Sequence, residues 1–463
     1  MDPQNRQEML RSGNISKTLL KLSTPAIIAM LAIALYNLVD TMYIGLLKDT
    51  AAIGAATVMF PVFMIISSIG LMFGTGAGSA ISRRLGAGEA EKANRIAATA
   101  YYSCIAIGVL FSIFGVINIR KILVLFGATD TIMDKAVIYG SIIIGGSIFQ
   151  MLNMCLNNIV RAEGASAYSG RAMIMGAGLN VILDPIFMFV LDMGIAGAAW
   201  ATITSQLISN LYLLRFFLKE MGVIRIGPKH FTFSGENYAE IMKIGVPTFV
   251  RQILLSVSMG VMNNSASVYG DGAIAAIGVV TRLLALVTYV IYGLGQGFQP
   301  IAGFNYGAKQ YDRVHKSFRI TIIWSSTFSI FVSGLFLLFA PVLILLFSED
   351  PEVVAIGTRA LRFSSLTLML LGLQNTSGIF FQALGKGRET AFLAMARQGL
   401  FLVPLILILP RFLGLNGIIY SQPIADLLTV VVTLVLLAAN SRSLALEEKE
   451  WLKQTKEPIP KSR

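Results

Sequence analysis

Apolar runs of roughly twenty residues recur along this chain from Leu19 to Leu437, and that is the length an α-helix needs to cross a hydrocarbon core about 30 Å thick. Inside lipid the backbone must satisfy its own hydrogen bonds, so each run has to be helical. With 55% hydrophobic and only 13% charged residues, a soluble core is excluded. Cutting the chain at its charged and Gly/Pro/Asn-rich breaks predicts twelve helices, the first over 17–46, the fifth over 167–190, the sixth over 195–218 and the last over 416–440. The opening "MDPQNRQEMLRSGNISK" is polar and lacks the pattern of a secretory signal, so nothing is expected to be removed. Cys104 and Cys155 both fall inside apolar runs and read as buried thiols, with no chemistry assigned to them.

Basic loops are retained in the cytoplasm, so Lys and Arg orient the bundle. With both termini inside, the loops divide these residues 28 to 7 in favour of the cytoplasmic side, with Arg251 and Arg282 left within helices. The net charge of +12 is thereby explained by topology and anionic headgroups, without nucleic acid as a partner.

Short stretches repeat in order at offsets of 220 to 224 residues: Ser23–Ala26 with Gly245–Thr248, Ala51–Gly54 with Ala275–Gly278, Leu85–Arg95 with Tyr306–Lys316, Arg161–Gly164 with Gln382–Gly385, and Gly194–Ala201 with Gly414–Ser421. Each match is weak alone, but the common offset implies two homologous six-helix halves. Six is even, so both halves point the same way and face each other across a central cleft. The expected organisation is a cytoplasmic tail (1–16), an N-lobe (17–218), a linker (219–240), a C-lobe (241–440) and a second cytoplasmic tail (441–463). The fold class is an all-α polytopic membrane protein.

One segment breaks the apolar pattern. "GLNVILDPIF" (Gly178–Phe187) places a carboxylate where a membrane helix should be uniformly apolar, at a cost of about 2.5–3.5 kcal/mol on insertion scales. Met173, Gly176, Asn180 and Asp184 follow at helical spacing on one face, and Pro185 interrupts the hydrogen-bond ladder just beyond. Tyr36, Asn37 and Asp40 have comparable spacing on the first helix.

The stretches "LYNLVDTMYIG", "RRLGAGE", "RAEG", "NVILDPIF" with "GIAGAAWAT", and "GQGFQPIAGFNYGA" together resemble the multidrug and toxic compound extrusion (MATE) transporters, in particular their bacterial DinF/MepA-like branch, over roughly residues 15 to 440. The resemblance implies a cation-driven exporter of bulky amphiphilic or cationic drugs and dyes, in a bacterial or archaeal cytoplasmic membrane. It also implies a cation site of Asp40, Asn180, Asp184 and Thr202. Such an all-oxygen set suits a hard monovalent ion and would ligate sodium if that is the coupling ion; the two carboxylates could instead share a proton. Asp40 could also snorkel to water, and Asp184 could cap the break at Pro185. Pro25 and Pro185 are the expected hinges. No cofactor beyond H+ or Na+ is expected, and a monomer suffices.

Tyr36, Asn37, Gln150, Asn153, Asn157, Met173 and Asp426 are the candidate drug contacts. Gln150, Asn153 and Asn157 could equally hydrogen-bond between helices. Asp426 could face a cationic drug or pair with Arg251 or Arg282. A lipid-linked oligosaccharide flippase is the rival function, expected to need a more basic cleft for its pyrophosphate. An embedded enzyme is disfavoured, since His230 and His315 both fall in loops.

Overall fold

The computed structural model describes residues 2–456, leaving Met1 and the last part of the expected C-terminal tail, 457–463, outside the described residues. It is 88% helix, with no strand among the described residues. The N-terminal half comprises α1 (Pro3–Arg11), α2 (Ile15–Leu46), α3 (Thr50–Gly86), α4 (Ala90–Ile117), α5 (Ile119–Leu125), α6 (Asp130–Gly145), α7 (Ser147–Ala162), α8 (Ser166–Pro185) and α9 (Ile195–Leu218). The C-terminal half comprises α10 (Gly235–Ser267), α11 (Asp271–Gly307), α12 (Tyr311–Leu345), α13 (Pro351–Leu368), α14 (Leu371–Leu384), α15 (Gly387–Met395), α16 (Val403–Ile408), α17 (Pro410–Leu413) and α18 (Leu415–Lys456).

Nine continuous stretches are long and apolar enough to span a membrane. Two bent pairs, α6 with α7 at 43° and α13 with α14 at 52°, bring the number to eleven among the described residues. The expected sixth span is α9, whose 24 residues rise about 36 Å. Its apolar pattern is diluted because Ser205, Ser209 and Asn210 face the lobe interior, each 2% exposed.

Two elements differ from expectation. The first residues form a packed helix rather than a loose tail: Leu10 is buried, Asn305 donates to its carbonyl at 3.0 Å, and Arg313 donates to Gly13 O at 2.8 Å. At the other extreme, α18 continues beyond the predicted end at 440 to Lys456.

The halves join at the end of the bundle that carries the N-terminal helix α1. Arg83 and Arg84 of α3 donate to Glu240 of α10 at 3.2 and 2.9 Å, Ser79 donates to the Gln382 carbonyl, and the Thr75 and Thr248 hydroxyls meet at 3.1 Å. The backbones approach so closely there that a Cβ on Gly86 would lie 1.9 Å from Phe304 O, and one on Gly307 would lie 1.9 Å from Arg83 O. These two contacts are equivalent under the sequence repeat. Towards the opposite end α2 has no buried residue between Ala29 and Ile44, and α10 only Ser258 between Thr248 and Ala266. The lobes therefore meet at one end and part at the other.

Candidate functional site

Asn180 and Asp184 lie one turn apart on α8, beside Thr202 of α9. The Asn180 amide donates to Asp184 Oδ1 at 3.2 Å and reaches the Thr202 hydroxyl at 3.4 Å. Asp184 is fully buried and Asn180 nearly so. Directly after them Pro185 cannot extend the ladder, and Ile186–Val190 form a π-helical turn in which the Leu191 N–H donates to Ile186 O at 2.9 Å. Such wide turns recur at functional sites because they rotate side chains out of α-helical register.

Asp40 of α2 lies within electrostatic reach of Asp184. Asp184 Oδ2 and Asn180 Oδ1 are otherwise buried without any donor, and among the described residues no Lys, Arg or His pairs with either acid. The donor set thus fits a proton or a small hard cation: oxygen ligands, excess negative charge and unsatisfied lone pairs. Among the described residues there is no group of three or more His, Cys, Asp or Glu that could hold a metal ion.

The structure brings Tyr36 to the same place, within electrostatic reach of Asp40 and Asp184. Tyr139 of α6 stands there too, a residue that sequence reasoning missed. Its only signal was a tyrosine in the apolar run "KAVIYGSIIIG". Tyr289 of α11 lies within electrostatic reach of Tyr36 and brings a C-lobe side chain near the site. Asn37 is exposed beside it, on the open part of α2.

The remaining candidates form a separate polar seam. Gln150 donates to Ser67 at 2.9 Å, Asn153 to Ser209 at 2.9 Å, and Asn157 to Asn153 Oδ1 at 3.0 Å while accepting from Ser169 at 2.7 Å. Met173 Sδ accepts from Arg161 at 3.7 Å, three turns and about 16 Å below Asp184 on α8. These amides bond between helices, in the manner of polar glue within a membrane bundle.

In the C-terminal half, Asp426 pairs with neither Arg251 nor Arg282. Its partner is Arg397, whose Nε donates to Asp426 Oδ1 at 2.7 Å. Arg397 follows the loop residues Lys386 and Arg388 closely in sequence, yet it sits within the span Gly387–Leu413, on a π-helical turn over Ala396–Leu402. Arg282 is exposed.

Two repeated helical lobes, joined at one end and with an acidic site inside the N-terminal one, define a membrane transporter rather than an enzyme. The chain belongs to the MatE family, whose profile matches residues 25–186 and again 247–408. It is 29% identical over 440 residues to the multidrug export protein MepA of Staphylococcus aureus (strain MSSA476), covering 95% of this chain and 97% of that one. Among solved structures it is similar to a multidrug resistance MATE family transporter of the MOP superfamily in an outward-facing conformation, with a TM-score of 0.89, 27% identity and coverage of 95% and 98%. A MATE structure in a bent conformation matches equally well, with a TM-score of 0.89, 27% identity and coverage of 96% and 99%.

Proposed function

We propose that this protein is a secondary active multidrug exporter that exchanges H+ or Na+ for amphiphilic or cationic drugs by alternating access. The end where the lobes meet carries the basic loops and the N-terminal helix α1, and we assign it to the cytoplasm of a bacterial or archaeal cell. The cleft then opens outwards, as in the outward-facing relative. A single chain and its surrounding lipid suffice for this cycle.

The observation that carries the reading is the Asp40–Asp184 pair, two acids within electrostatic reach of each other with no protein cation to neutralise them. Binding one proton or sodium ion removes their repulsion and lets α2 draw towards α8. Pro25 leaves a break in the α2 ladder at which the helix can bend, and Pro185 provides a second loose point beside the site. A relative captured in a bent conformation supports such a motion. Bending α2 narrows the N-lobe side of the cleft, so ion and drug oppose each other, as reciprocal linkage requires.

Purified protein in liposomes, with sodium and pH gradients imposed separately, tests this. Uptake or release of a fluorescent cationic dye should follow one gradient and stop when it collapses. Movement of lipid-linked sugar without any gradient would favour a flippase instead. The interior basic charge supports that alternative poorly, because Arg397 is taken up by Asp426 and Arg161 is held by Asn158, Ser169 and Met173.

A further inference from the structure

Five helices of the C-terminal half converge on a polar cluster that the ion site does not use. Arg251 of α10 lies with its guanidinium carbon 5.2 Å from the ring centre of Tyr292 on α11 and donates to the Tyr292 hydroxyl. Arg397 holds Asp426 of α18 and lies within electrostatic reach of Tyr292. Gln374 of α14 donates to the Asp426 backbone carbonyl at 2.6 Å. Arg251, Tyr292 and Asp426 all sit near the middle of their helices, so the cluster lies at mid-depth within the lobe.

The charges there do not balance. Two guanidinium groups face one carboxylate, and Arg397 occupies it. Among the described residues no acid pairs with Arg251, and its Nε is buried without an acceptor. The face of Tyr292 eases this positive charge but does not cancel it. A cation held at this depth is costly and in membrane proteins usually serves a ligand or an ion. Because the Tyr292 oxygen accepts from Arg251, its own proton remains to be donated. The free guanidinium N–H groups and the phenol O–H together make a small cluster of donors, and a planar guanidinium matches the two oxygens of a carboxylate. The N-terminal lobe carries the opposite polarity in the acids Asp40 and Asp184.

We propose that Arg251 and Tyr292 form a subsite for the carboxylate of zwitterionic amphiphiles, with the amine end of the same molecule directed to the N-terminal lobe. This rests on the export reading and gives the C-terminal half a part in recognising the substrate.

Rhodamine B, which has a free carboxylate beside its cationic ring system, and its ethyl ester, identical but for the blocked acid, are the probes. Both are measured by fluorescence binding to the full-length protein in neutral phosphatidylcholine nanodiscs. Arg251→Gln should weaken binding of rhodamine B about tenfold more than binding of the ester. Arg251→Lys, which restores the charge without the planar fork, should recover part of that difference. Tyr292→Phe should reproduce a smaller loss in the same direction. Equal changes for acid and ester in all three variants, or no change in any, would overturn the proposal while leaving export intact. Failure of both dyes to bind the wild type would overturn the export reading and this one together.

Discussion

Asp184→Asn is expected to abolish ion-driven efflux, by about a hundredfold or more, while leaving the protein folded in the membrane. The amide keeps the volume of the side chain and can still accept from Asn180, so packing around α8 and α9 survives. It can neither take up a proton nor balance a cation, and an Asn facing Asp40 would donate to it permanently, mimicking the ion-bound state. Drug resistance in cells and dye transport in liposomes, both normalised to the amount of protein in the membrane, read the effect. Full resistance at a normal level would mean that Asp184 only closes the helix break at Pro185.

A second large effect belongs to the seam between the lobes. Gly307→Val puts a side chain where even a Cβ would lie 1.9 Å from the Arg83 carbonyl, a backbone atom with no rotamer to yield. Overpacking of this kind costs about 3 kcal/mol, enough to shift a two-state equilibrium about a hundredfold away from the conformation closed at this end. A cysteine introduced at Thr75, which in the closed seam bonds Thr248, should then become reactive to a water-soluble thiol reagent, and transport should fall. Gly334→Val, where nothing lies within 4 Å, is the matched control and should change neither. Protection of Thr75→Cys in the Gly307→Val background would mean that the seam accommodates the side chain and that this end does not open.

Much of this was legible in the chain because lipid leaves so few solutions. Run length forces helices, and a repeat offset near 222 forces two similar lobes, which the two family matches at that spacing bear out. Asn180 and Asp184 could be found because a carboxylate within an apolar run is conspicuous. Tyr139 could not: an aromatic in a membrane helix is ordinarily packing, and only the fold reveals that α6 brings it within electrostatic reach of both acids. The Arg397–Asp426 pair was missed for a different reason. Charge counting treats an arginine near a basic loop as part of that loop, yet the helix carries this one inwards, where Asp426 offsets its burial. Gln150, Asn153 and Asn157 share a face as spacing requires, but spacing cannot distinguish a face turned to a cleft from one turned to a neighbouring helix. Nor could it reveal the packed N-terminal helix, whose contacts with Asn305 and Arg313 span some 300 residues.

Export by this cycle requires that ion and drug compete through the Asp40–Asp184 pair. The affinity of the purified protein for a cationic dye, measured across a sodium series at fixed pH and a pH series without sodium, tests it most directly. The expected result is weaker dye binding as sodium rises or as pH falls, whichever ion couples, since a bound cation neutralises the acids that attract the dye. In Asp40→Asn that dependence should flatten. Dye affinity indifferent to both ions in the wild type, or an undiminished dependence in Asp40→Asn, would contradict competition at this pair.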